Sequence, residues 1–164
     1  MTKIFLAFRS ALYASAFTVL WGWLSLRVRA AAGDWFILPP ETRPIGVAFL
    51  IIGGALAVWC IFEFFRVGRG TPAPFDPPRA LVQSGPYRYV RNPMYLGGMG
   101  ALVGFGLWNG SATMVLFSIG FIVLAHFLVI FYEEPILERQ FGSRYLIYKT
   151  LVGRWLPKKQ AIKT

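Results

Sequence analysis

Four apolar stretches, at about residues 10–26, 44–65, 93–108 and 112–132, constrain this chain more than any other feature. At ~1.5 Å per residue, each reaches most or all of the way across a hydrocarbon core of ~30 Å. Backbone in lipid must satisfy its own polar groups, so runs of this kind are helices. Composition agrees: of 164 residues, 56% are hydrophobic and only 15% charged, with a mean hydropathy of +0.55. That is too apolar for an ordinary soluble domain. The expected fold is all-α: a single polytopic membrane domain over 1–164, with about four transmembrane helices and a C-terminal amphipathic interfacial helix.

The formal charge of +10 suits nucleic acid or an anionic membrane surface. Here the basic residues fall between the apolar runs and not on one patch, so the lipid bilayer is the expected partner and nucleic acid is not. Putting the amino terminus, the 66–91 connection and the tail on one side collects most of the lysines and arginines there, leaving Arg27, Arg29 and Arg43 opposite. The basic side is then cytoplasmic, with both termini on it. Lys3, Arg9 and the Ala30-Ala31-Ala32 cluster imitate a signal peptide, but Arg27 and Arg29 interrupt the run before the small residues. Cys60 is the only cysteine, which excludes an intrachain disulfide and a cysteine zinc cluster; no metal site is expected.

Between the first two spans, Trp35, Phe36, Pro39 and Pro40 suit an interfacial loop with aromatic anchoring. Gly53 and Gly54 in the second span allow close helix contact, as do Gly100 and Gly104 in the third. Glu63, the one acid in the second span, is expected to snorkel or to pair with Arg66. From Arg66 to Asn92 the chain turns polar and proline-rich, notably over 71–78. Such a segment is neither helix nor lipid-facing, and reads as an ordered interfacial loop.

The chemistry concentrates in Gly85-Pro86-Tyr87-Arg88-Tyr89-Val90-Arg91-Asn92-Pro93-Met94-Tyr95, which runs into Gly97-Gly98-Met99-Gly100. Pro93 suits the first position of a helix, and Asn92 is its natural N-cap. Free N–H groups at that helix end, beside Arg88 and Arg91, make a place for a carboxylate or phosphate. The fourth span holds His126, the only histidine, and ends in Glu133-Glu134-Pro135. His126 and Glu133, seven apart, share a helix face; a lone span histidine is more often a packing group than a ligand. Adjacent carboxylates at the end of an apolar helix need a cation, which Arg88, Arg91 or a bound cation would supply. A short hairpin joins the last two spans, so the arginine motif and the Glu pair come to the same membrane face.

These residues, followed by Ile136, Leu137, Phe141-Gly142, Tyr145, Tyr148, Arg154 and Pro157, resemble the isoprenylcysteine carboxyl methyltransferase and phospholipid N-methyltransferase family of integral membrane enzymes. The likeness covers roughly the second half of the chain, about 80–157. It implies S-adenosyl-L-methionine as cofactor and methyl transfer to a lipophilic acceptor, such as a prenylcysteine carboxylate or a phospholipid amine. Carried over position by position, it makes Arg91, Asn92, Tyr95, Glu133 and Glu134 the catalytic set. The cofactor would be framed by these with Gly85, Tyr87, Arg88, Tyr89, Pro93, Gly98, Gly100 and His126. Asn92 stands where many members have histidine and cannot titrate. Two other readings of the same residues are an NADPH-dependent enzyme like the sterol reductases, and a non-enzymatic membrane scaffold.

Overall fold

The computed structural model describes residues 3–68 and 78–158, with the side chains of 3–8, 10, 11 and 14 left aside. Among the described residues it is helical, without strands. The order is α1 (Lys3–Ala32), α2 (Thr42–Glu63) ending in a π-helical turn (Phe64–Gly68), a 3-10 turn (Gly85–Arg88), α3 (Pro93–Trp108), α4 (Ala112–Leu128), a second π-helical turn (Val129–Glu133), α5 (Glu134–Phe141) and α6 (Ser143–Leu151). The expected loop over 71–78 lies, apart from Pro78, outside the described residues.

Two helical runs are long and apolar enough to cross a bilayer: Thr42–Gly68 and Ala112–Phe141, with mean hydropathies of 2.5 and 2.7. The other two expected spans do not meet the same standard. The α3 helix has 16 residues, or about 24 Å at ~1.5 Å each. The α1 helix is 30 residues long, well beyond the expected 10–26, and carries arginines at 9, 27 and 29.

The α2 and α3 helices run antiparallel, in contact through bare backbone. A Cβ added at Gly104 would lie 2.6 Å from the Gly46 carbonyl oxygen, and one at Gly97 would lie 2.8 Å from that of Gly53. The close approach therefore rests on Gly46 and Gly53 facing Gly104 and Gly97, each pair seven residues apart. The expected Gly100–Gly104 pair is corrected in this respect: a Cβ at Gly100 would sit 3.6 Å from Gly53 Cα, an ordinary contact. We expect Gly104→Ala to lose ~1–3 kcal/mol through overpacking and Gly100→Ala to stay within about 0.5 kcal/mol of the parent. Thermal denaturation of the detergent-solubilised variants measures the difference.

The α1 helix rests on α4 through rings, with Trp21 and Phe121 centroids 4.8 Å apart and Phe17 and Phe121 5.9 Å apart. The connection after α1 is tied to the α3–α4 turn. The Leu38 N–H donates to the Gly110 carbonyl at 2.8 Å, and Thr113 Oγ1 donates to the Gly33 carbonyl at 2.6 Å. Asp34 takes Arg29 Nε at 2.7 Å and the hydroxyl of Ser111. Ser111 in turn caps α4 by accepting from the Met114 N–H at 3.2 Å.

The Ser111 hydroxyl first, and then Arg29, hold the Asp34 carboxyl below its ordinary 3.8. A carboxyl depressed by folding stabilises the fold above its unfolded pKa, and that contribution is lost as the pH falls through the folded value. The melting-temperature gap between the parent and Asp34→Asn should therefore hold steady down to about pH 4 and close on further acidification.

The α4 helix does not stop at the Glu-Glu-Pro sequence. It passes through the π-helical turn into α5, so that Pro135, second in α5, sits where the hydrogen-bond ladder has already slipped. The tail likewise departs from one amphipathic helix. Gly142, at φ +53°, turns the chain between α5 and α6, and Tyr145, Tyr148 and Val152 of the second piece form a small buried core with Leu81, Leu137 and Phe141 around it.

Candidate functional site

Arg91 to Tyr95 is the hub on which the described tail closes. The Arg91 N–H donates to the Gly153 carbonyl at 2.8 Å, and Asn92 Nδ2 donates to the Arg154 carbonyl at 3.3 Å. Asn92 occupies the residue before α3, as expected, but its side chain makes no cap hydrogen bond. It pins the tail instead.

What precedes the hub is held by α2. Glu63 is buried and accepts from Ser84 Oγ, while Arg66 Nη2 bonds its two oxygens at 3.1 and 3.3 Å. The expected pairing with Arg66 is present, and Ser84 is an unforeseen partner. Gly85, at φ +57°, lies against this carboxylate so closely that a Cβ would be 2.7 Å from Glu63 Cγ. Only glycine tolerates both demands. One turn on, Tyr87 is buried against Cys60 and Phe64, and its carbonyl accepts from the Tyr148 hydroxyl at 2.6 Å.

The Glu pair divides its work. Glu134 is buried, its side chain 7% exposed, and the protein itself supplies its cations. Arg154 grips it with Nε and Nη2 at 2.7 and 3.0 Å, while Arg91 Nη1 and Lys149 Nζ lie 3.3 and 3.4 Å away. Of the answers expected from the sequence, Arg91 is one, Arg88 is not, and Arg154 with Lys149 completes the set. Glu133 meets no arginine or lysine among the described residues; it accepts from the Tyr95 hydroxyl. Trp155, next to Arg154, donates Nε1 to His126 Nδ1 at 2.8 Å and sets its ring 6.3 Å from that of Tyr95. Indole is a donor only, so Nδ1 of His126 is an acceptor and the proton of the neutral ring sits on Nε2.

These groups stand at one end of a cavity of about 820 Å³, within the ~300–1,000 Å³ typical of small-molecule sites. Tyr87, Arg91, Asn92, Tyr95, Gly98, Glu133 and Glu134 line it, as do Tyr145 and Tyr148. Gly85, Arg88, Tyr89, Pro93, Gly100 and His126 do not. Tyr89 is half exposed with the Arg88 guanidinium 5.7 Å from its ring centre, and His126 is engaged with Trp155.

Arg91 is the unusual member. Its side chain is 9% exposed, yet Nε and Nη1 make no hydrogen bond. A buried guanidinium with donors to spare is a place for an anion. Burial pushes the Tyr87, Tyr145 and Tyr148 hydroxyls up, so all three remain protonated donors. The hydrogen bond to Glu134 holds Arg154 above even its usual value, which keeps that pair fully charged.

Sequence reasoning counted Lys149 and Arg154 among the basic residues of the tail, and Arg154 within the resemblance, but gave neither them nor Trp155 a place in the site. The available signal was a single arginine set between Gly153 and Trp155 in a short apolar stretch of tail.

An uncharacterized protein of Haemophilus influenzae is 40% identical to this chain over 63 residues, which is 38% of this chain and 100% of that protein. The profile of the phospholipid methyltransferase family matches residues 42–144, more than half of the chain, from the start of α2 through the arginine motif and the Glu pair into α6. The chain belongs to the phospholipid methyltransferase family.

Proposed function

We propose that this protein transfers a methyl group from S-adenosyl-L-methionine to a lipophilic acceptor held in the bilayer, such as a phospholipid amine or a prenylcysteine carboxylate. In this reading α1 to α4 all span the membrane, with the arginine motif, the Glu pair and both termini on the cytoplasmic side. The observation that carries it is Arg91, a buried guanidinium whose Nε makes no hydrogen bond and whose Nη1 has only Glu134 beside it, at 3.3 Å, on the wall of a largely apolar cavity.

The residues fit the cofactor. Its carboxylate suits Arg91. Its cationic groups suit Glu133, the acid on the wall not already bound by an arginine or lysine among the described residues, and the faces of Tyr87 and Tyr95. Gly98 leaves open backbone beside them: a Cβ there would meet only the Phe121 ring, at 3.6 Å. When bound, the cofactor supplies an electrophilic methyl group on its sulfonium.

The chain's part is to hold donor and nucleophile in line and to keep water out, which the apolar wall does. Glu134 and Arg154 fasten the tail over the hub and so preserve the geometry of Arg91. An amine acceptor releases a proton, for which Glu133 is the base in this reading; a carboxylate acceptor releases none. The three buried tyrosines, being protonated, are not bases.

Calorimetric titration of the purified protein with S-adenosylmethionine, S-adenosylhomocysteine and, as control, NADPH tests the reading. Saturable binding of the first two and not the third is expected. Binding of NADPH alone would point to a reductase, and no binding by folded protein would point to a scaffold.

A further inference from the structure

Apart from the hydroxyls of Tyr13, Ser15 and Thr18 on α1, the polar side chains of the cavity wall stand where α3 begins and α4 gives way to α5; the rest of the lining is hydrocarbon and bare backbone. Two of the helices that form this wall scarcely meet. The α1 helix packs on α4 and α3, and α2 packs on α3, while contact between α1 and α2 is at most marginal among the described residues. Beside the gap, Leu20 of α1 and Val58 of α2 line the cavity and are themselves exposed. The cavity thus opens in a slot between α1 and α2.

The depth of the slot matches one leaflet. Along α2 the lining of the cavity that opens there runs from Gly53 to Phe64, about 16 Å at ~1.5 Å per residue, against half of a ~30 Å hydrocarbon core.

Two adjacent glycines of α2 do different things there. A Cβ at Gly53 would lie 2.5 Å from the Gly97 carbonyl oxygen, so helix contact accounts for it. A Cβ at Gly54 would meet nothing within 4 Å, although Gly54 lines the cavity. A helical glycine is less stable than alanine by ~1 kcal/mol, and at Gly54 no packing demand explains it; Gly22 and Gly120 also meet nothing, but of these three Gly54 alone lines the cavity.

We infer that Gly54 is a specificity-determining residue whose missing side chain leaves room for the hydrocarbon chain of a lipid acceptor, lying side-on between α1 and α2. The occupant is a membrane lipid on three grounds: the mouth is bordered by exposed apolar residues, the cavity lining along α2 is about one leaflet deep, and the charged groups stand at one end of it. What the headgroup undergoes at that end rests on the methyl-transfer reading above.

The test uses the full chain in lipid nanodiscs with a phosphatidylethanolamine carrying a photoactivatable group on its acyl chain, and maps the labelled peptides by mass spectrometry. Labelling is expected on the Gly54–Val58 segment of α2 and the Phe17–Leu20 segment of α1. Gly54→Leu, which fills the slot, should reduce that labelling about tenfold while S-adenosylmethionine affinity, measured by calorimetry, stays unchanged. Gly54→Ala, one methyl into open space, should fold like the parent and show a smaller loss in the same direction. Labelling confined to the outward residues Ile51 and Ile52, or equal in the parent and both variants, would overturn the inference and leave the cofactor reading standing. Slot labelling without cofactor binding would overturn the methyl-transfer reading and leave the slot assignment standing.

Discussion

Glu134→Ala is expected to lose both thermal stability and cofactor binding, although Glu134 itself need not touch the cofactor. The carboxylate is buried and shared by Arg154, Arg91 and Lys149. Removing it leaves these cations in a poorly solvated site, and breaking a buried pair in this way costs ~3–5 kcal/mol. The loss spreads, because Arg154 and its neighbours Gly153 and Trp155 join the tail to Arg91, Asn92 and His126. An affinity loss on the order of 10²-fold follows if even ~3 kcal/mol of that docking energy is withdrawn from the bound state. Arg154→Ala should produce a similar deficit, and the double variant should lose less than the sum of the two, as coupled partners do. Calorimetry and melting curves on the three variants measure this. An alanine variant that binds S-adenosylmethionine as the parent does would remove Glu134 from the site.

Arg91→Lys should separate binding from stability. Arg154 and Lys149 remain to neutralise Glu134, so the variant should melt close to the parent. Lysine, however, offers a point charge in place of the planar fork, whose Nε and Nη1 make no hydrogen bond. Losing a charge-assisted contact of this kind is worth ~2–5 kcal/mol when the partner is left buried, so affinity for S-adenosylmethionine should fall by at least about 30-fold. The discriminating probe is decarboxylated S-adenosylmethionine. Lacking the carboxylate, it should bind the parent weakly and bind Arg91→Lys with nearly the same affinity. If the substitution weakened both ligands by the same factor, Arg91 would not be the carboxylate's partner.

Local chemistry made much of this protein legible before its structure. Helix α3 occupies 93–108 as expected because Pro93, with no N–H to lose, suits the first position of a helix, and Asn109-Gly110 can close one. The apolar runs made the fold helical, since no other backbone satisfies itself in lipid without closing a barrel. Arg91, Tyr95 and the Glu pair were identifiable because charge and hydroxyl groups are costly at the ends of apolar helices and are kept there only with partners.

The identity of those partners was a tertiary matter. Nothing in the spacing of Glu134 and Arg154 pairs them; α5, the turn at Gly142 and α6 fold the tail back until guanidinium meets carboxylate. His126 looked like a neighbour of Glu133 by helical periodicity, but the Trp155 indole takes its Nδ1 and keeps it off the cavity wall. The division of labour among glycines was equally hidden, because Gly53 and Gly54 are the same residue to any local rule. Only the position of α3 makes the first a point of contact and the second an opening. Periodicity and side-chain chemistry depend on neighbours along the chain, whereas the pairing of buried charges and the location of empty space depend on which helices meet, and that is decided by the packing of the whole bundle.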